Sequence, residues 1–330
     1  MAENTGEVLL DVRDLETVIS TKAGAFYAVN SVSFSVRAGE TLGIVGESGS
    51  GKSMIGLSLL RLVPKHAARI VGGSVRFDGE ELLTKTEAEM RQVRGRDIAM
   101  ILQDPQTSLN PAFTIGNQII EALQLHSKEN RSGLRARAIE ALRKVKVAAP
   151  EHRVGSYPHQ LSGGMRQRAV GAIAISCQPR LIIADEPTTS LDVTVQAQYL
   201  RLLQELQRET GLAIIFITHD FGVVSRLCHR LVVMYAGRIV ETGPVREVFD
   251  DPAHPYTEAL IGSVPTLSKH TGRLPTIGGQ PPAVLDLPAG CPFAPRCVYV
   301  QSRCRIEMPP TLPGKSGADH TAACWRLLDE

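Results

Sequence analysis

The eight residues Gly46-Glu47-Ser48-Gly49-Ser50-Gly51-Lys52-Ser53 constrain this chain more than any other stretch. They match G-x-x-x-x-G-K-[ST], and their surroundings suit it. The apolar run Thr41–Val45 leads in, and an apolar run from Met54 to Val63 leads out before Pro64 stops it. Phosphate oxygens need several donors at close range. Glycines let backbone N–H groups turn inward with no Cβ in the way, and the positive end of a following helix adds to the attraction. In such a loop Lys52 reaches the β- and γ-phosphates of a nucleotide, and the Ser53 hydroxyl takes Mg2+. A Gly/Ser-rich turn with a surface lysine is the bland alternative, but a chain of this composition produces the pattern by chance only about once in a hundred such sequences, before the strand–helix context is demanded. The dinucleotide pattern G-x-G-x-x-G does not fit these glycines.

The rest of the chain reads as an α/β fold. Short β-type runs occupy Val8–Val12, Ser31–Val36, Ser74–Phe77 and Ile98–Ile101, and Asp78-Gly79 predicts a hairpin turn. From about 114 to 178 the apolar residues recur at helical spacing, as in Ile115, Ile119, Ala122 and Leu123. From 180 to 250 strands and helices alternate: Leu181–Ala184, a helix from about Val193 to Glu209, Ala213–Thr218, a short helix after Asp220, then Leu231–Tyr235. Near-continuous apolar strands of this kind are what a parallel sheet buried on both faces requires. Beyond about 250 the texture changes. Twelve of the 20 prolines fall between Pro252 and Pro313, which argues against a long regular element there.

A chain of 330 residues can bury one large core and carry an appendage. The formal net charge of +2 supplies no strongly basic face, so nucleic acid is not expected as a partner. No apolar run approaches the roughly 20 residues that span a bilayer, and Met-Ala-Glu-Asn begins no secretion signal. The expectation is a cytosolic protein that works at a membrane only by docking on other subunits.

Hydrolysis at a phosphate loop needs a metal-side carboxylate and a base. Leu181-Ile182-Ile183-Ala184-Asp185-Glu186 offers both in order: Asp185 can hold Mg2+ through water, and Glu186 can polarise the attacking water. Alone, such a run is often a plain strand end. With the phosphate loop it becomes informative.

Leu161-Ser162-Gly163-Gly164-Met165-Arg166-Gln167-Arg168 is similar to the LSGGQ signature of ATP-binding cassette (ABC) ATPases, with Met165 in place of the usual Gln. Ser162 and the two glycines open a helix and form a second donor-rich N-terminus. The resemblance implies that two cassettes pair head to tail, with ATP between the phosphate loop of one and Ser162, Gly163 and Gly164 of the other. It further implies that Gln103 is the Q-loop glutamine that senses Mg2+, that Ser190-Leu191-Asp192 is the D-loop, and that His219 is the switch histidine on the γ-phosphate. The adenine-stacking aromatic has no clear counterpart: Ile19 stands at the aligned position, with Phe26 and Tyr27 nearer the strand.

Three phrases narrow the branch: Gln103-Asp104-Pro105-Gln106-Thr107-Ser108-Leu109-Asn110-Pro111, Tyr157-Pro158-His159-Gln160, and His254-Pro255-Tyr256-Thr257. They resemble the D-type ATPases of dipeptide and oligopeptide importers, within the peptide/nickel family. So does Gly290-Cys291-Pro292-Phe293-Ala294-Pro295-Arg296-Cys297. What the resemblance implies is a P-loop NTPase cassette over residues 1–251, with a helical subdomain at about 104–178 and a Cys-containing C-terminal extension over 252–330. The expected activity is transport-coupled ATP hydrolysis that drives peptide import, with ATP and Mg2+ bound. The expected partners are two membrane-spanning permease subunits, a second and non-identical ABC ATPase, and an extracytoplasmic substrate-binding protein. The expected location is the cytoplasmic side of the cell inner (plasma) membrane, held peripherally. A nickel, glutathione or other small-solute importer is the alternative cargo reading. A soluble ABC ATPase acting on ribosomes or DNA is the alternative from another class, but only about 110 residues separate Ser53 from Leu161 and no heptad run fills them.

Four of the six cysteines, Cys291, Cys297, Cys304 and Cys324, crowd the C-terminus with five, six and nineteen residues between them. In a reducing compartment such a group is more often a metal site than a disulfide framework. Thiolates suit zinc and iron–sulfur alike. The resemblance favours a 4Fe–4S cluster, with zinc as the alternative and free thiols or disulfides as the plain reading.

Overall fold

The computed structural model describes residues 6–189, 191–264, 276–282, 285–315 and 317–328. In chain order these form β1 (Val8–Thr21), β2 (Gly24–Arg37), β3 (Thr41–Val45), α1 (Lys52–Leu59), β4 (Ala68–Phe77) and β5 (Glu80–Glu81). Then come α2 (Glu87–Val93), β6 (Ile98–Ile101), α3 (Pro105–Ser108), α4 (Ile115–Gln124), α5 (Arg131–Lys144), α6 (Pro150–Arg153), α7 (Gly163–Ile175), β7 (Leu181–Asp185), α8 (Val193–Thr210) and β8 (Ala213–Thr218). The chain continues as α9 (Phe221–Leu227), β9 (Arg230–Tyr235), β10 (Arg238–Pro244), α10 (Val245–Asp250), α11 (Pro255–Gly262), β11 (Leu312–Gly314) and β12 (Gly317–Ala322). No helix among the described residues is long and apolar enough to cross a membrane.

Two compact units result. One, the phosphate-loop unit, comprises Leu10–Ser35, Thr41–Leu83 and Ile217–Glu330; the other, the helical unit, comprises Met1–Leu9, Val36–Glu40 and Thr84–Phe216.

In the phosphate-loop unit, a sheet of order β2-β1-β4-β5 pairs β1 antiparallel to β4 from Leu10↔Phe77 to Ile19↔Ala68. Asp78 and Gly79 both take left-handed φ, 52° and 80°, and close the β4–β5 hairpin as their dipeptide predicts. β1 is much longer than the run Val8–Val12 because its register shifts between Arg13 and Glu16, with Asp14 at φ 46°. A bulge of that kind interrupts the period-two alternation that sequence reading relies on. Beside this sheet lies the order β11-β12-β10-β9-β3, with β3 parallel to β9 and the other pairs antiparallel. All five residues of β3 are buried, as a strand covered on both faces requires. Helix α1 stops at Leu59, short of Val63, because Arg61 adopts φ 53°.

The C-terminal extension joins this unit by pairing and by a buried carboxylate. β12 lies antiparallel to β10 at Glu241↔Ala322 and Thr242↔Thr321. Fully buried Glu241 accepts from Ala253 N at 2.8 Å, His254 N at 2.9 Å and His320 Nε2 at 2.7 Å. A buried carboxylate is tolerated only when its lone pairs are met in this way. Among the described residues beyond 252, the longest regular element is the eight-residue α11, in keeping with the proline density.

In the helical unit, β6 and β7 run parallel from Ile98↔Leu181 to Ile101↔Ala184, and β8 follows β7 in the sheet order. Helix α5 packs on α4 and α7 through Leu134, Ala138 and Leu142. The expected helical stretch of 114–178 is therefore three main helices and a short one. Their starts are marked chemically: Thr114, Asn130, Ser162 and Asp192 each accept a backbone N–H from the first turn of α4, α5, α7 and α8.

Candidate functional site

The loop Gly46–Ser53 joins the C-terminal end of β3 to α1. Gly46 has φ 153°, and a Cβ there would stand 2.3 Å from Met234 O; Gly51 has φ 100°, and a Cβ there would stand 2.2 Å from Ala28 O. Neither position admits a side chain, so the backbone of β9 and β2 comes close on both flanks of the loop. Gly237 N donates to Ser50 O at 3.0 Å and adds a further tie. Lys52 is 5% exposed, and its Nζ donates to Gly46 O at 2.8 Å and Glu47 O at 2.9 Å. The ammonium thus sits in the concave side of its own loop. Ser50 Oγ is buried there with no hydrogen-bond partner, an unmet polar atom in a loop rich in backbone donors. Ser48, Gly49 and Ser53 are exposed.

Glu47 is held from the C-terminal side of the chain. Its N–H donates to the Tyr256 hydroxyl at 2.8 Å, and its carboxylate receives both Nη atoms of Arg296 at 2.7 and 3.0 Å. Burial pushes the Tyr256 phenol above its usual range, and the Glu47 carboxylate holds the Arg296 guanidinium protonated. Tyr256, Tyr235 and Phe293 pack ring on ring, with centroids 4.6 to 5.4 Å apart. Sequence reading quoted Tyr256 and Arg296 as marks of a branch and gave neither a place at the loop. No local spacing signals a contact across some 200 residues. Of the three candidates for adenine stacking, Ile19 and Phe26 are half-buried and Tyr27 is exposed.

In the helical unit, β7 ends in buried Asp185 and half-buried Glu186. Glu186 takes φ 45°, which a residue with a side chain rarely adopts. Its Oε2 accepts from Gln103 Nε2 at 3.0 Å and Thr189 Oγ1 at 3.0 Å. The structure therefore brings Gln103 and Glu186 together from the ends of two adjacent parallel strands. Thr189 is the member that sequence reading missed.

The signature residues open α7. Ser162 Oγ accepts from Met165 N at 3.4 Å, Gly163 has open space, and a Cβ on Gly164 would meet Val195 Cγ1 at 2.8 Å. Gly164 thus lets the start of α7 approach α8, whose N-cap is Asp192. Ser190 lies outside the described residues. His219, in the phosphate-loop unit, is exposed just beyond β8.

Cys291, Cys297, Cys304 and Cys324 line a single cavity of about 400 Å³ in the C-terminal extension. Burial pushes the Cys291 thiol up to about 11, and its three cysteine neighbours add to the rise; burial also raises Cys297 and Cys324. Cys291 N donates to Cys304 O at 2.8 Å and closes the segment on itself. The expected ligand set is nevertheless not assembled. Among the described residues no three His, Cys, Asp or Glu side chains stand close enough to hold a metal ion, so neither an iron–sulfur cluster nor zinc finds support in the geometry.

Residues 29–189 match the family model described as ABC transporter, and residues 240–304 match that described as oligopeptide/dipeptide transporter, C-terminal region. The chain is 52% identical over 321 residues to a probable peptide ABC transporter ATP-binding protein of Sinorhizobium fredii, covering 97% of this chain and 95% of that one. It is 48% identical to a Brucella melitensis protein named for peptide import and ATP binding, covering 92% of this chain and 93% of that one. A solved ATP-binding cassette, a dimer in a post-hydrolysis state bound to ADP and Pi, superposes with a TM-score of 0.65 at 26% identity, over 72% of this chain and 99% of the other.

Proposed function

The chain belongs to the ABC transporter ATP-binding family and carries the oligopeptide/dipeptide transporter C-terminal region, and from that premise we propose that it powers the import of di- and oligopeptides. As a member it is the ATP-hydrolysing subunit of a transporter, associated with a membrane through permease partners. The observation that carries the proposal is one chain joining a phosphate loop with a buried lysine to a C-terminal region matched over residues 240–304.

In this reading residues 1–251 are the nucleotide-binding domain and 252–330 the extension. Lys52 and the backbone N–H groups of Gly46–Ser53 hold the phosphates of ATP. Ser53, Gln103 and Asp185 would hold Mg2+, an all-oxygen donor set suited to a hard cation. The ion, when bound, neutralises charge on the phosphate oxygens. Glu186 accepts the proton of the attacking water, oriented by the hydrogen bonds from Gln103 and Thr189. His219 contacts the γ-phosphate, and Ser162, Gly163 and Gly164 serve the nucleotide of a paired cassette. That second cassette is a similar but non-identical ATPase. Two permease subunits and an extracytoplasmic binding protein complete the complex, on the cytoplasmic side of the inner membrane.

The four-cysteine cavity takes a 4Fe–4S cluster in the same reading, with zinc as the alternative. What supports it is that four cysteines share the lining of one cavity, although their side chains do not converge to ligand distances in this structure. Anaerobically purified protein should carry about four irons per chain; stoichiometric zinc, or four free thiols without metal, overturns the cluster.

Transport is tested in vesicles that contain the permease subunits, both ATPases and the binding protein. ATP should drive uptake of a labelled di- or tripeptide, and vesicles with Glu186→Gln should not accumulate it. Uptake of nickel or glutathione with peptide excluded would replace the cargo. ATPase activity that responds to ribosomes or DNA and not to the permease would replace the class.

A further inference from the structure

A loop that must attract a polyanion carries a carboxylate at its second position. Glu47 stands in the phosphate loop, its own carbonyl bonded to Lys52 Nζ at 2.9 Å. Left alone, that negative charge opposes both the lysine and the phosphates. Arg296, 249 residues later in the chain, meets it with two parallel N–H···O bonds, Nη1 to Oε2 at 2.7 Å and Nη2 to Oε1 at 3.0 Å.

The arginine is prepared for this contact. Its side chain is 4% exposed, Nε donates to Gly278 O at 3.0 Å, and Nη1 also donates to the Tyr235 hydroxyl at 3.2 Å. The guanidinium carbon lies 5.9 Å from the centroids of both the Tyr235 and Phe293 rings. A side chain fixed by so many partners holds one orientation at little further entropic cost. Tyr256 secures the backbone of the same glutamate, so side chain and main chain of Glu47 are both held by residues beyond 217.

We infer that Arg296 is a positioning residue for nucleotide binding: it neutralises and ties back the Glu47 carboxylate, so that the phosphate loop presents net positive charge to ATP. This rests on Gly46–Ser53 being the ATP loop. The C-terminal extension thereby sets the affinity of a site to which it contributes no direct ligand. A plain structural staple is the competing role, and the two differ in what happens when Glu47 also loses its charge.

The experiment is titration of the whole chain with a fluorescent ATP analogue, using Arg296→Met, Arg296→Met/Glu47→Gln, Glu47→Gln and Lys52→Ala. Methionine keeps a flexible apolar stem beside the two rings while it removes the charge. Arg296→Met should weaken ATP binding about tenfold, an effect that shrinks with added salt. Adding Glu47→Gln should recover most of the loss, because no unpaired carboxylate then faces the phosphates. A double variant as weak as Arg296→Met identifies a staple and overturns the inference, as does an Arg296→Met protein that binds like wild type. If Arg296→Met does not fold, Glu47→Gln decides: tighter ATP binding supports the inference and weaker binding overturns it. Lys52→Ala separates the two levels. If it leaves ATP binding intact, the ATP-loop reading itself fails; if it abolishes binding, the other variants speak to Arg296 alone.

Discussion

The phosphate loop and the acidic end of β7 are built to opposite standards. The loop is enclosed: Lys52 and Ser50 are buried, two glycines touch neighbouring backbone, and Glu47 is gripped by Tyr256 and Arg296. Glu186 is half-buried, sits at an unfavourable φ, and is held by two side-chain hydrogen bonds from exposed Gln103 and Thr189. Buried contacts of the first kind are hard to rearrange, whereas exposed hydrogen bonds exchange readily with water. In the proposed reading, binding falls to the preorganised end and chemistry to the adjustable one. That division is what a cyclic ATPase needs, since it must hold nucleotide before it commits to cleavage.

The largest expected effect would break this comparison if it fell on the wrong quantity. Glu186→Gln should lower turnover by roughly 10²–10⁴-fold, the usual range for a positioned base, while ATP affinity stays near wild type. Steady-state hydrolysis paired with equilibrium ATP binding reads both numbers. A variant that loses affinity along with rate makes Glu186 part of the binding end and erases the distinction. Next in size is Lys52→Ala, expected to weaken ATP binding by about 100-fold because a buried positive charge on the phosphates is removed. An unchanged affinity with reduced turnover would invert the two roles.

An effect of comparable size, spread over a range of pH, sharpens the claim that the phosphate-loop end is rigidly supported. His254 Nδ1 accepts from Tyr256 N at 3.0 Å, next to the tyrosine that holds Glu47, and burial lowers its pKa from 6.5 to about 4. The unfolded chain takes up this proton near pH 6.5, whereas the fold resists it until about pH 4. Its contribution to stability is therefore complete above pH 6.5 and lost as the pH falls toward 4, up to about 3 kcal/mol in all. Denaturant unfolding measured between pH 7 and pH 4 should show that slope, and His254→Gln should flatten it. An unchanged slope in the variant places the acid sensitivity elsewhere.

Much of this was legible in the sequence, for reasons that differ by element. The strands β3, β6 and β8 begin and end where their apolar runs do, because a strand buried on both faces leaves no ambiguity of period. β1 runs well beyond the strand its alternation predicts, since the shift at Arg13 to Glu16 breaks that alternation. The phosphate loop and Ser162 cap are local and show in spacing alone. Gln103 with Glu186, 83 positions apart, and Arg296 with Glu47 are products of tertiary folding and leave no spacing to read. The four cysteines announced a common cavity by their crowding, but crowding says nothing about whether thiols converge to ligand distances.

The extension also decides what the sheet offers to other chains. Had the order ended at β10, a seven-residue strand would present its unpaired N–H and C=O groups as a template for a foreign strand. β12 covers that edge, and β11 then closes the series with only three residues, the middle one Pro313. Proline lacks the N–H that strand addition needs. A cassette meant to meet its partners through chosen surfaces is spared adhesion along this one, and truncation before residue 312 should convert a well-behaved chain into one that self-associates through β-pairing.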